Sequence, residues 1–322
     1  MTELLVDEAL TPQTTFSQRS SSNLVLRPEP TPDEIHFTRA DDGWRLALFR
    51  YHRKAPGHHG EPVLLHHGLG ANHTLFDLGI EDGLAPVPSM AHWLADRGYD
   101  VWVCDLRGAG WSSRPDRGAP HRWDWSMDDF IHRDDPAFLD YILSQSVHDR
   151  VHWIGHSMGG ILALAHCCLH GAPRLASTTI IAAGLDWSGT ASSYQLIVPL
   201  RHIGRKVKHI RSGQISKLFS PLVGRWRNGI EMVNSYPGST APAASRAMYR
   251  GTTQDVSGEV LYQLASLFLP GGLRSLDHSL RYSDLVDNIT TPTMLLSGDR
   301  DLQCPPVIPA RTLPLLPKPS ML

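Results

Sequence analysis

The segment that most constrains the fold of this chain is residues 151–160, with the sequence Val-His-Trp-Ile-Gly-His-Ser-Met-Gly-Gly. Its first residues are largely β-branched or aromatic, which predicts a short buried strand. The small and apolar residues from Met158 onward predict a helix. The two elements can approach closely because Gly155 and Gly159 lack a Cβ atom. We therefore expect Ser157 on a strained turn between strand and helix, at the positive end of that helix.

Short apolar runs elsewhere in the chain predict the other strands of the same sheet. They occupy residues 62–66, 99–105, 175–183 and 291–298. Two segments around an Asp-Asp-Gly turn at 41–43 predict an antiparallel pair at one sheet edge. Because strands and helices alternate along the chain, we expect an α/β fold with a mostly parallel sheet and right-handed crossovers.

Composition divides the chain into a core, an insertion and two terminal segments. Residues 1–30 are polar and rich in Ser and Pro, which predicts a flexible leader. We expect the core to span 31–185 and 281–306, with a cap inserted at 186–280, where the alternation of strands and helices stops. The many prolines of residues 307–322 predict a tail without an interior strand or helix.

The expected cap has an unusual charge distribution. Between residues 189 and 230 there is no Asp or Glu, whereas Arg and Lys accumulate among apolar side chains. A cap that covers a pocket fits this pattern, and the alternative is a solvated basic insertion with no role in substrate binding. Attraction of acidic substrates or of a membrane surface is a further alternative.

The overall composition excludes several classes of function. A formal net charge of -2 does not predict a nucleic-acid partner. Four cysteines without metal-like spacing predict buried free thiols in a reducing compartment, and the His58-His59 pair lacks further metal ligands, so we expect no metal and no cofactor. Acidic residues near the N-terminus and the lack of any run of roughly 18 apolar residues predict a soluble cytoplasmic protein without a signal peptide or membrane span.

Two loops at strand ends carry candidate functional groups. The sequence His-His-Gly-Leu-Gly at 66–70 follows a predicted strand, and its glycines would let backbone N–H groups point into a cavity, as an oxyanion hole requires. An ordinary strand-to-loop turn is the alternative. Asp299 and Asp301 follow the last predicted strand, at the end where catalytic groups gather in such sheets, although plain turn residues would look the same.

Four ordered motifs make residues 34–306 resemble the α/β-hydrolase fold. The motifs are His67-Gly68, Asp105-x-Arg107-Gly108-x-Gly110-x-Ser112, Gly155-His156-Ser157-Met158-Gly159 and Gly298-Asp299-Arg300-Asp301. The stretch at 125–137 also resembles the acid-lipase branch of that superfamily, which favours lipid esters. The resemblance implies an α/β-hydrolase sheet with a helical cap.

The resemblance also implies an esterase-like or lipase-like hydrolase of carboxylic esters that works through an acyl-serine intermediate. Ser157 would be the nucleophile, and the backbone N–H groups of Leu69 and Met158 would bind the oxyanion. Asp301 would orient a histidine. The implied partner is a small-molecule or lipid ester substrate.

The expected acid and base depart from the family pattern. Asp299 is the second candidate for the acid, and Asp186 is a third. The family places its histidine after the acid, but no histidine follows Asp301, so we expect a C-terminally incomplete fold with an exposed sheet edge at 294–296. His278 would reach the site only if the cap folds over it. A serine without a base is a poor nucleophile, so we expect low activity; the alternative is a non-catalytic or truncated homologue that retains a binding pocket.

Overall fold

We describe the fold from a computed structural model. The structure describes residues 25–26, 31–54, 60–81, 86–87, 89–115, 122–171, 173–199, 201–223 and 240–316. The expected leader, apart from residues 25–26, and the His58-His59 pair lie outside the described residues.

A seven-stranded sheet forms the centre of the described structure. Its strands are β1 (Glu34–Arg39), β2 (Arg45–Tyr51), β3 (Pro62–His66), β4 (Asp100–Asp105), β5 (Val151–His156), β6 (Leu175–Ile181) and β7 (Thr293–Leu296). The spatial order is β7-β6-β5-β3-β4-β2-β1. The five strands from β7 to β4 run parallel, while β2 is antiparallel to both β4 and β1. The predicted mostly parallel sheet with an antiparallel edge pair is confirmed.

Helices connect these strands and cover the sheet. They are α1 (Met90–Ala95), α2 (Met127–Asp129), α3 (Asp135–Ser144), α4 (Met158–His170), α5 (Arg201–Lys206), α6 (Ser212–Phe219), α7 (Pro242–Gly251), α8 (Gly258–Leu264) and α9 (Val307–Thr312), with a π-helical turn at Phe130–Asp134. Single 3₁₀ turns lie at His73–Leu75, Ser193–Ile197, Ser220–Leu222, Ala265–Phe268, Tyr282–Asn288 and Leu313–Leu315. Two-residue strands lie at Val25–Leu26, Ile80–Glu81, Pro86–Val87, His209–Ile210 and Val256–Ser257.

The core lies on both faces of the sheet because side chains alternate along each strand. In β4, Trp102 and Cys104 belong to the larger apolar cluster, which includes α4. Val101 and Val103 belong to a second cluster, which includes residues of α1. All four cysteines are buried and free, which confirms the prediction of buried thiols.

The described parts of the segment 186–280 do not continue the strand–helix alternation of the core. Where it is described, α5 to α8 are joined by a short antiparallel strand pair, His209–Ile210 with Val256–Ser257. The boundaries of a cap at 186 and 280 stay a prediction. No helix of the described residues is long and apolar enough to cross a membrane.

The prediction that residues 307–322 contain no helix is wrong for their first part. Helix α9 forms there because Pro306 is its N-cap and Pro309 lies in its first turn, where a missing amide hydrogen removes no intrahelical bond. Ile308 and Thr312 are buried, and both approach Gly184 just after β6. Tertiary packing of this face stabilises a helix that composition alone argues against.

Strand β7 is the outermost strand at one edge of the sheet. It pairs with β6, and within the described residues no strand pairs with its other side. Met294 is 46% exposed and Leu296 is 42% exposed. The expected exposure of this edge is confirmed for the described part of the chain, whereas the predicted incompleteness of the fold stays a prediction.

Candidate active site

Ser157 lies on the sharp turn that joins β5 to α4. Its backbone has φ 53° and ψ −121°, a conformation that L-residues rarely adopt. A Cβ atom on Gly155 would lie 2.4 Å from the carbonyl oxygen of Gly159, and one on Gly159 would lie 2.4 Å from that of His66. The turn therefore requires glycine at both flanking positions, as the sequence predicts. It leaves Ser157 at the N-terminus of a 13-residue helix.

The loop after β3 lies directly against this serine. A Cβ atom on Gly68 would be 3.0 Å from the Cβ of Ser157, so only a residue without a side chain fits without displacement. Within the described part of the chain, the N–H groups of Leu69 and Met158 donate to no protein acceptor. An oxyanion hole requires backbone amides that are free to donate, and these two amides lie beside the Ser157 side chain.

His67 joins this loop to the loop after β4. Its Nδ1–H group donates to the carbonyl oxygen of Gly68 at 2.9 Å, and its Nε2 accepts from the Leu106 N–H at 3.2 Å. This pattern requires the neutral imidazole. Complete burial and the neighbouring His66 lower the pKa of His67 to about 4, so it is neutral near pH 7. His67 therefore has a structural role, because its two ring nitrogens join the two loops.

The Gly-rich loop after β4 is held by two separate sets of buried charges. Asp105 accepts hydrogen bonds from the His73 amide at 2.7 Å and from the Trp111 amide at 2.8 Å. Arg107 instead binds Asp134 at 2.6 Å and Asp42 at 2.7 Å. Because these carboxylates come from different parts of the chain, they fix the loop as a scaffold beside the turn at residues 66–70.

The acid candidates differ in their surroundings. The Oδ1 atom of Asp301 accepts from the amides of Gln303 at 2.8 Å and Cys304 at 2.9 Å, and the residue is partly buried. The side chain of Asp299 is 90% exposed. Asp186 accepts from the Ser188 amide and does not line the cavity that contains Ser157. Of the three carboxylates, Asp301 is the one that is both partly buried and in the wall of the cavity that contains Ser157.

A cavity of about 730 Å³ brings the predicted residues together. Ser157, Leu69 and Asp301 all contribute to its wall at the C-terminal end of the parallel strands. The segment after residue 186 supplies much of the remaining lining, including Tyr194, Ile210, Met248, Tyr249, Val256 and Leu261. Met158 lines two smaller recesses, one of which also includes Ser157.

The described histidines differ in whether they line this cavity. His156 alone among them lines it, and no hydrogen bond joins His156 to Ser157 there. Burial lowers the pKa of His156, the nearby charge of Asp301 acts in the opposite direction, and its Nδ1 atom is buried without a partner. His278 lies outside the cavity lining, with its Nε2 atom 3.2 Å from the Tyr262 hydroxyl. The structure does not bring His278 to Ser157.

Sequence reasoning missed the contribution of Tyr194 to this site. Its side chain lines the cavity, and burial together with the nearby charge of Asp301 raises the pKa of its hydroxyl. Ser192, just before it, bonds to the Gln303 carbonyl and so connects this segment to the acid loop. No motif marks Tyr194, since only the fold brings residues 194 and 301 together. Within the described residues, no group of three or more potential ligands is placed to hold a metal ion.

Comparison with known proteins identifies the class to which this fold and site belong. The sequence model of the alpha/beta hydrolase fold family matches residues 61–307, which is more than half of the chain. The chain therefore belongs to the α/β-hydrolase family.

Similar sequences include human gastric triacylglycerol lipase, which is 34% identical over 135 residues, or 40% of this chain and 33% of the lipase. Lipase 1 of Drosophila melanogaster is 27% identical over 194 residues, which cover 59% of this chain and 39% of that lipase. The matches thus span about a third of the length of these curated relatives.

Solved structures show the same fold. An esterase from Exiguobacterium antarcticum matches with a TM-score of 0.52 and 16% identity, over 87% of both chains. A hydrolase from Pseudomonas aeruginosa matches with a TM-score of 0.56 and 17% identity, over 89% of this chain and 88% of the other. At this level of identity the likeness concerns the architecture.

Proposed function

We propose that this protein is a serine hydrolase of carboxylic esters, with Ser157 as its nucleophile. The observation that carries the proposal is the strained backbone of Ser157, which shares one cavity with the turn at residues 66–70 and with Asp301. The names of the lipase relatives support ester hydrolysis as the chemistry of this site. The substrate would be a small-molecule or lipid ester.

The proposed reaction has two steps. The Ser157 oxygen attacks the ester carbonyl carbon, its proton leaves to a base, and the amides of Leu69 and Met158 stabilise the negative oxygen. The alcohol departs with a proton and leaves an acyl-serine, which water then hydrolyses to the free acid. Asp301 would orient the base and stabilise its positive charge.

The proposed reaction needs a base that accepts the proton of Ser157. No histidine follows Asp301 in the 322 residues, and His156 is the one that lines the cavity among the described residues. Without a positioned base, oxyanion stabilisation and binding alone leave an acceleration of about 10³–10⁴ over the uncatalysed reaction. We therefore expect slow turnover by this chain.

A second candidate function is ligand binding without turnover. It is favoured by the lack of any hydrogen bond between Ser157 Oγ and an imidazole in the described part of the chain, beside a cavity large enough for a ligand. Such a protein would hold an ester or a fatty acid in the same cavity.

The test is hydrolysis of p-nitrophenyl butyrate by the purified protein and by Ser157→Ala. We expect slow release of p-nitrophenol that the variant abolishes, because the proposal assigns the attacking oxygen to Ser157. Ser216→Ala is the matched control, since Ser216 lines the same cavity from α6. This control should retain the parent rate.

Equal rates for the parent and Ser157→Ala would contradict the proposal. Binding of butyrate or of a fluorescent fatty acid by both proteins would then support the ligand-binding function. If turnover depends on Ser157, His156→Ala tests the base. A rate that falls only for this variant, and not for His278→Ala, would identify His156 as the base.

A further inference from the structure

Helix α6 and the turn after it expose an apolar stripe. Ile215, Leu218, Phe219 and Leu222 follow the i, i+3, i+4, i+7 spacing of one helix face. They are 56%, 73%, 54% and 38% exposed, respectively. A stripe of this kind normally faces the core, so four exposed members in succession indicate an interaction surface.

The stripe faces outward because the opposite side of α6 packs against the rest of the protein. Ser212 and Ser216 line the cavity that contains Ser157. Gly213 is buried against the backbone of Gln254, which a Cβ atom on Gly213 would approach to 2.7 Å. Because the helix is held closely on this side, the apolar stripe cannot turn inward without displacing backbone.

The stripe lies within a strongly basic segment. Residues 201–223 contain six Lys and Arg and no Asp or Glu. Four of these cations are exposed and form no ion pair within the described residues: Lys206, Lys208, Arg211 and Lys217. Arg205 is the exception that pairs with an acid, since it contacts Glu259 at 2.9 Å.

We propose that the apolar stripe and the four cations form a docking surface for an anionic lipid bilayer. Apolar side chains enter the interfacial region of a bilayer, while lysine and arginine are attracted to anionic headgroups. A second copy of this chain is a poorer occupant, because its equivalent surface carries the same positive charge. The occupant is therefore identified by charge complementarity.

Docking on this side would place the bilayer one helix away from the cavity, about 10 Å. An ester that leaves the bilayer would reach Ser157 past Ser212 and Ser216. This route rests on the proposed hydrolase function, whereas the docking itself does not depend on turnover.

The test is sedimentation of the parent protein and of Ser157→Ala with vesicles. One set of vesicles is phosphatidylcholine alone, and in the other about a third of the lipid is phosphatidylserine. We expect both proteins to bind the anionic vesicles, more weakly as salt is raised. Leu218→Asp should lower the partition coefficient at least about tenfold, and Lys217→Ala should lower it about fivefold.

Two surface variants away from α6 are the matched controls. Val147 is 98% exposed and Arg150 is exposed, and both precede β5, at the end of the strand opposite to Ser157. Val147→Asp and Arg150→Ala should bind vesicles like the parent protein. Circular dichroism of each variant checks that the fold is retained.

Three results would overturn the proposal. The first is failure of the parent protein to sediment with anionic vesicles, and the second is equal binding to both kinds of vesicle. The third is a dimer in size-exclusion chromatography that Leu218→Asp dissociates, since the stripe would then be covered by a second copy. Loss of vesicle binding in Leu218→Asp with unchanged p-nitrophenyl butyrate hydrolysis would separate docking from the proposed catalysis.

Discussion

The two halves of the candidate site are supported in different ways. The serine half lies between β5 and α4, where β5 has β3 on one side and β6 on the other. The acid half follows β7, a four-residue strand with one described neighbour. In the serine half, backbone atoms lie within 3 Å of the positions that Cβ atoms on Gly155 and Gly159 would occupy, so the packing is close. In the acid half, the turn is held by two hydrogen bonds to Asp301 Oδ1.

This difference indicates where the site is rigid and where it can open. Elements buried on both sides open only with global unfolding, while edge elements with few contacts open locally at lower free energy. Ser157 and the backbone amides of Leu69 and Met158 are thus held in place by the core. The position of Asp301 depends on the weaker edge, so local opening would separate the acid from the serine before the core unfolds.

The strongest test of this comparison is Gly159→Ala. The new Cβ would lie 2.4 Å from the His66 carbonyl oxygen and 2.7 Å from that of His67, and neither backbone can move freely. We expect the free energy of unfolding in urea to fall by about 4 kcal/mol or more. Gly251→Ala is the matched control, because its Cβ would make an ordinary 3.6 Å contact with Thr74. If Gly159→Ala lowers the free energy of unfolding by less than about 1 kcal/mol, as an ordinary surface substitution does, the backbone around Gly159 can move to accept the new Cβ.

A pair of truncations compares adjacent strands directly. Ile180 in β6 is fully buried, so Ile180→Ala should lower the free energy of unfolding by about 2–5 kcal/mol. Leu296 in β7 is 42% exposed, and Leu296→Ala should change it by about 0.5 kcal/mol. Urea unfolding of both variants measures the difference. Similar losses for the two would mean that the β7 edge is covered in solution.

The pH dependence of stability sharpens the comparison further. His67 has a pKa of about 4 in the folded protein, against 6.5 for an unperturbed histidine. Between these values the unfolded state binds more protons, so this residue makes stability fall as pH falls, by up to about 1.4 kcal/mol per unit. We expect the difference in unfolding free energy between the parent and His67→Gln to shrink from about pH 7 to about pH 4.5. A difference that is constant with pH would show that His67 is not held neutral.

The sequence predicted the backbone structure around Ser157. The apolar runs of β3 to β7 and the glycines around Ser157 are local signals, because each reflects burial or close backbone approach at its own position. The same holds for the turn at 66–70, whose glycines allow close approach and a positive φ at their own positions. These signals predicted the sheet and the turn at Ser157, whereas the resemblance to the α/β-hydrolase fold implied the roles of the Leu69 and Met158 amides.

Features that depend on tertiary packing could not be predicted from local sequence signals. Helix α9 forms against Gly184 despite its prolines, and Tyr194 enters the cavity only through the path of the segment after β6. The resemblance ranks Asp301 ahead of Asp299, but the sequence does not show that Asp301 is partly buried and bonded to two amides while the side chain of Asp299 is 90% exposed. For α9 and Tyr194, the contacting residues are distant in the chain.

The backbone of Ser157 has a consequence for how this sequence can change. A positive φ costs a non-glycine residue about 1–3 kcal/mol, and glycine adopts the same angle freely. The replacement that would relieve the most strain at this position is therefore the one that removes the hydroxyl. Mutational drift guided by stability alone would lead from serine to glycine here, so stability and chemistry make opposite demands on residue 157.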